Sequence, residues 1–149
     1  MAIDCIGWHC DADGFPDGVP EEQAGVHIGF FLAWAFSRGF AGARHLKGNE
    51  DELANLAARR ISGTDFLIRI CDGKLWDVDF NSEGAAFAHD YYANHNCAFA
   101  REYGSYLNDY GKVFAGYGDY CVEGSWENFD RLSPLLDGRL AQWRRYGAK

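Results

Sequence analysis

The stretch from Ala24 to Phe40 constrains this chain most. Val26, Ile28, Phe30, Phe31, Leu32, Trp34 and Phe36 fall on every side of a helical wheel, with only His27 as a polar side chain between them and Ser37 and Arg38 after them. A helix that is apolar all round must be covered all round. The spacing therefore predicts a central helix over 24–40, wrapped by the rest of the chain. Pro20 suits its entry, and Glu21 and Glu22 occupy the first turn, where carboxylates complement the helix dipole. Gly25 and Gly29 lie four residues apart and admit a close neighbour, and Gly39 ends the segment after Arg38.

The flanking segments read as follows. Residues 1–20 hold Gly7, Gly14, Gly18, Pro16 and Pro20 among Asp11, Asp13 and Asp17, and predict an irregular arm anchored by Trp8 and Phe15. Asn49 caps a second helix, with Glu50, Asp51 and Glu52 in its first turn and Arg59 and Arg60 in its last. A third starts at Ser62 or Thr64 and stops at Asp72-Gly73. Leu75 and Trp76 begin an acidic turn, a fourth helix runs from about Asn81 to Ala93, and a fifth from about Ala98 to Tyr110. A Gly/Tyr loop spans Gly111 to Cys121. The last helix starts at Ser125, carries Phe129, Leu132, Leu136, Leu140 and Trp143 inward, and is kinked or split at Pro134. No stretch alternates as a strand. The expectation is an all-α single domain over 1–149, a bundle of about six helices with an irregular arm over 1–20. A chain of 149 residues with 48% hydrophobic residues supports such a core without a disulfide staple.

Charge is uneven. The net charge is −8, and the excess sits in residues 1–37 and 72–123, each net −6. An acidic chain is poorly suited to phosphate backbones, so no nucleic-acid partner is expected. The longest apolar run, Phe30 to Phe36, is too short to span a membrane. Met1 to Cys10 has no secretory pattern. The five cysteines are scattered without a CxxC, and the expected location is cytoplasmic with free thiols.

No catalytic or metal signature stands out. Asp77-Val78-Asp79-Phe80-Asn81 begins like a calcium loop, but Ser82 and Ala88 stand where Gly and Glu are required, so these residues read as helix caps. Asp11, Asp13 and Asp17 read as turn residues or partner contacts. Cys5, His9 and Cys10 lack a second ligand pair, and the five histidines make no HExxH. The expectation is no metal, no cofactor and no enzymatic activity. His27 reads as a core histidine whose donor finds a buried partner.

Several stretches carry a family resemblance: Trp8-His9, Phe15-Pro16, Val19-Pro20-Glu21, Ala24 through Ala35, Cys71-Asp72-Gly73-Lys74-Leu75, Asn81 to Tyr92, and Ser125 through Asp130. Together they resemble a family of small uncharacterised bacterial cytoplasmic proteins, similar in kind to immunity proteins of polymorphic and secreted toxin systems. The resemblance implies an inhibitor that binds a cognate toxin with a basic surface and occludes its active site or substrate groove. An acidic face would speed that encounter, and Tyr is a favoured interface anchor. The expected contacts are Asp11, Asp13, Asp17, Asp77, Asp79, Glu83, Tyr117 and Tyr120.

A second class stays open: a small enzyme or ligand-binding protein with a pocket near His27, drawing on Trp8, His9 and Trp34. A cavity of roughly several hundred Å3 lined by His and a carboxylate favours this class. A filled core behind an acidic face favours the inhibitor.

Overall fold

The computed structural model describes residues 1–147. Strand β1 (Ala2–Cys5) runs directly into α1 (Ile6–Cys10), and turns lead to Pro20. A 3-10 turn over Glu21–Gly25 feeds α2 (Val26–Ser37). Then come α3 (Ala43–Leu46), α4 (Glu50–Ala57), α5 (Gly63–Cys71), β2 (Lys74–Trp76) and α6 (Ser82–Ala88), which passes into a π-helical turn over His89–Ala93. The order closes with α7 (Ala98–Tyr103), α8 (Tyr106–Val113) and α9 (Trp126–Gly147). The protein is a mostly α-helical bundle around α2, with one small sheet.

Every residue from Val26 to Ala35 is buried, as the all-round apolar pattern requires. The tightest neighbour is α5. A Cβ on Gly29 would lie 2.4 Å from the Thr64 nitrogen, and one on Gly63 would lie 2.0 Å from the Gly29 oxygen. The two backbones touch because neither residue has a side chain. Helix α5 is held in register at its start by a reciprocal capping box, Ser62 Oγ to Asp65 N at 3.0 Å and Ser62 N to Asp65 Oδ2 at 3.0 Å. Left-handed Asp72 ends it.

The structure departs from the expected arm. Residues 2–5 pair antiparallel with Lys74–Trp76, and the register slips between Ala2 and Asp4. This bulge buries two consecutive residues, Ile3 and Asp4, on one side. The strand therefore shows no alternation in sequence, and Leu75-Trp76 is its partner, not a turn. Trp8 is 57% exposed and anchors nothing, whereas Phe15 packs on Tyr120 at 5.0 Å.

Three boundaries also move. Gly104 (φ 135°) splits the expected fifth helix into α7 and α8. Helix α9 runs unbroken through Pro134, whose ring lies on the exposed face. The residue whose carbonyl it frees, Asp130, is exposed too, which leaves that carbonyl open to solvent hydrogen bonding. Arg59 and Arg60 lie past the end of α4, and the Asn49 side chain bonds His45 Nδ1 at 2.9 Å instead of capping.

Candidate functional site

Asp4 is the centre of the site. The bulge turns its side chain inward, where it is 4% exposed. Four donors surround the carboxylate. The Cys5 N–H reaches Oδ1 at 2.8 Å, and His9 Nε2 lies 2.8 Å from the same oxygen. His27 Nε2 lies 3.1 Å from Oδ2, which also accepts a short bond from the Tyr92 hydroxyl. Burial opposes ionisation, but the bonds from His27 and His9 outweigh it and hold the carboxyl well below the usual range. Asp4 is thus a fixed buried anion. Burial also pushes the His27 imidazole down from its ordinary value despite Asp4, which favours its neutral form.

Each partner arrives from a different element. His9 lies on α1, which follows β1 without a loop. His27 lies in the first turn of α2, with its own carbonyl accepting the Tyr106 hydroxyl. Tyr92 lies in the π-helical turn, where Tyr91 and Tyr92 are both buried. Tyr91 bonds Asp109 at 2.7 Å and Tyr92 bonds Asp4. The π turn lets two adjacent side chains point into the core.

The outer face opens into a cavity of about 390 Å3. Its polar walls are His9, His27, Gln23, Asp119 and Tyr120, and its apolar walls include Leu107, Tyr110, Phe114 and Val122. Tyr120 closes the ring with its hydroxyl 2.7 Å from His9 Nδ1. Its backbone is left-handed, φ 58°, which is costly for a bulky side chain. Gln23 secures this conformation by donating to the carbonyls of Tyr120 (3.0 Å) and Val122 (3.2 Å). A Tyr120–His9–Asp4 chain therefore runs from the cavity wall to a buried carboxylate.

A second buried group joins His45, Asp79 and Cys71. Asn49 donates to His45 Nδ1, so the ring proton sits on Nε2 and is donated to Asp79 Oδ1 at 2.8 Å. Asp79 Oδ2 accepts Trp76 N–H at 2.7 Å. None of these three residues lines the pocket at His27. This group ties α3 to the turn before α6.

The expected partner contacts scatter. Asp79 is corrected: it is 1% exposed and faces His45, because its carboxylate closes the turn after β2 and cannot meet a partner. Asp77 pairs with the Met1 ammonium at 2.8 Å, and Glu83 pairs with Arg144 at 2.8 Å. Both are therefore neutralised locally. Asp11, Asp13 and Asp17 are exposed on the arm. Tyr117 is exposed and accepts from Arg131 at 3.1 Å, whereas Tyr120 is half-buried at His9. Of the residues read as helix caps, Asn81 caps α6 by accepting Gly84 N–H at 2.9 Å, whereas the Asp77 and Asp79 carboxylates bond Met1, His45 and Trp76 instead. His9 and His27 are legible together in the sequence, whereas Asp4 and Tyr92 are not. The available signal for Asp4 was a lone acid in the apolar run Ala2-Ile3-Asp4-Cys5-Ile6.

The class these features define is a small, mostly helical protein with a His–Asp–Tyr centre at the base of an open cavity. The chain belongs to the family described as a domain of unknown function (DUF7832), whose model matches residues 2–121. No curated protein and no solved structure matches it. Among the described residues, no helix is long and apolar enough to cross a membrane.

Proposed function

We propose that the protein is a small enzyme or ligand-binding protein whose site is the cavity beside His27. The observation that carries this reading is the cavity of about 390 Å3 lined by two histidines that both contact one buried, ionised carboxylate. Small-molecule sites combine apolar walls with a few fixed polar groups. Here Leu107, Tyr110, Phe114 and Val122 suit a compact ring-sized body, and His9, His27 and Tyr120 suit a hydrogen-bonding end. Left-handed Tyr120 and buried Asp4 both cost stability, and such costs concentrate at functional sites.

The toxin-inhibitor expectation rests on a smaller set, the exposed Asp11, Asp13, Asp17 and Tyr117. Asp77 and Glu83 are paired within the chain, and Asp79 is inside it. The geometry favours the cavity.

The test is a 1H–15N NMR screen with compact aromatic acids, amines and amides. Hits are expected to shift the amides of Gly111, Gly118 and Tyr120. Ala115→Trp, which fills the cavity wall, should abolish those shifts. No hits at millimolar concentration, or hits that persist in Ala115→Trp, overturn the reading.

A further inference from the structure

We propose that Asp4, His9 and His27 bind one divalent transition-metal ion at the base of the cavity. Three side chains bring their donor atoms together. His9 Nε2 is 2.8 Å from Asp4 Oδ1, His27 Nε2 is 3.1 Å from Asp4 Oδ2, and the two nitrogens are 3.2 Å apart. Each nitrogen thus faces one oxygen of the same carboxylate, and one ligand atom from each of the three residues lies within 4.8 Å of the others. Ligands about 2.0–2.2 Å from one metal lie about 3 Å apart when they occupy adjacent positions.

The rings agree. Their centroids are 4.5 Å apart and their planes meet at 86°, while the nitrogens are closer than the centroids. The two Nε2 atoms therefore lie on the facing edges of the rings, beside the same carboxylate. A cation about 2.1 Å from each nitrogen would subtend about 100° between them, which lies between octahedral and tetrahedral values.

Outer partners are already in place. Tyr120 meets His9 Nδ1, and with the ring proton held there by the Tyr120 oxygen, a metal takes the Nε2 lone pair in place of the Nε2–H bond to Asp4. Tyr92 and the Cys5 N–H hold the Asp4 carboxylate, so its orientation does not depend on the histidines. His9 and His27 line the cavity and Asp4 does not, so the remaining coordination positions face the cavity. Two imidazoles and one carboxylate suit Zn2+, Fe2+, Co2+ or Mn2+ better than Ca2+ or Mg2+, which favour all-oxygen sites. The inference that a cavity ligand completes the coordination with an oxygen or nitrogen donor rests on the pocket reading above. The metal site itself does not.

The His45–Asp79–Cys71 group is the competing location. It is not the proposed site because all three residues are buried and none lines the cavity, so no coordination position there is open to it.

The experiment uses the full chain, stripped with a chelator and titrated with Co2+ by visible absorption and Zn2+ by calorimetry. One equivalent should bind with d–d bands of a nitrogen/oxygen site. His9→Gln and Asp4→Asn should each lose at least about 100-fold in affinity, and Tyr120→Phe about 10-fold. His9 is half-buried, so His9→Gln keeps its fold by circular dichroism even where Asp4→Asn fails to fold. Cys71→Ser should bind as wild type. No uptake at millimolar metal overturns the proposal, as does unchanged binding in His9→Gln or loss of binding in Cys71→Ser. These readings are taken without cavity ligand, so failure here leaves the fragment hits intact. Failure of the pocket reading instead leaves metal uptake intact.

Discussion

Replacing Gly29 by alanine tests the α2–α5 crossing directly. The new Cβ would lie 2.4 Å from Thr64 N, 2.7 Å from Gly63 C and 2.8 Å from Thr64 Cα. All three are backbone atoms, so no side chain can rotate away. Ordinary contact begins at 3.4 Å, so α5 must retreat by about 1 Å. Overpacking of this kind costs about 3 kcal/mol or more. Alanine returns about 1 kcal/mol of helix propensity. The net loss is therefore about 2 kcal/mol at least, or about 4–8 °C in Tm for a chain of this size. Gly138→Ala in α9 is the matched control, since its Cβ meets nothing within 4 Å. It should gain up to about 1 kcal/mol. Urea unfolding followed by circular dichroism reads both. A Gly29→Ala variant within about 0.5 kcal/mol of wild type refutes the argument that backbone contact sets this crossing.

Three further outcomes are expected. Arg139 holds buried Asp109 with two bonds of 2.8 and 3.0 Å, so Arg139→Ala leaves a buried charge without its cation and should cost about 3–5 kcal/mol in urea unfolding. Burial and the charge of Asp79 push the Cys71 thiol up to about 12, so a thiol reagent at pH 8 should modify exposed Cys121 in the native protein and reach Cys71 only on unfolding. The bond from Arg38 holds Asp137 below its ordinary value, joined by Trp34 Nε1 at 2.9 Å. Its contribution to stability is present above the unfolded value of about 3.9 and is lost as pH falls through the folded value. A carbon-detected NMR titration should place the Asp137 midpoint low and Arg38→Ala should raise it.

Much of the helical frame was legible from side-chain type alone. The apolar girdle of α2, the Ser62 cap, the Asp72-Gly73 stop and the inward stripe of α9 are local signals, and each maps onto the structure. The departures have physical causes that local pattern does not carry. A bulge removes the period-two signature of β1, and Gly104 breaks a stripe that continues through it. The candidate site was half legible. His27 stood out as a polar residue in an apolar helix, with His9 noted beside it. Asp4, Tyr92 and Tyr120 converge on them only through tertiary pairing, across sequence separations of 88 between Tyr92 and Asp4 and 111 between Tyr120 and His9. The acidic segments misled for the converse reason. Asp77 and Glu83 find cations that lie 76 and 61 residues away in the chain.

Those long separations bear on how the protein is made. Contacts between distant residues close late in folding, after local helices have formed. The Tyr120 wall cannot be placed until nearly all of residues 2–121 have left the ribosome, and that matched span opens just before Asp4 and closes just after Tyr120. Any nascent or clipped chain that stops short of Tyr120 carries its histidines and its carboxylate but no finished cavity.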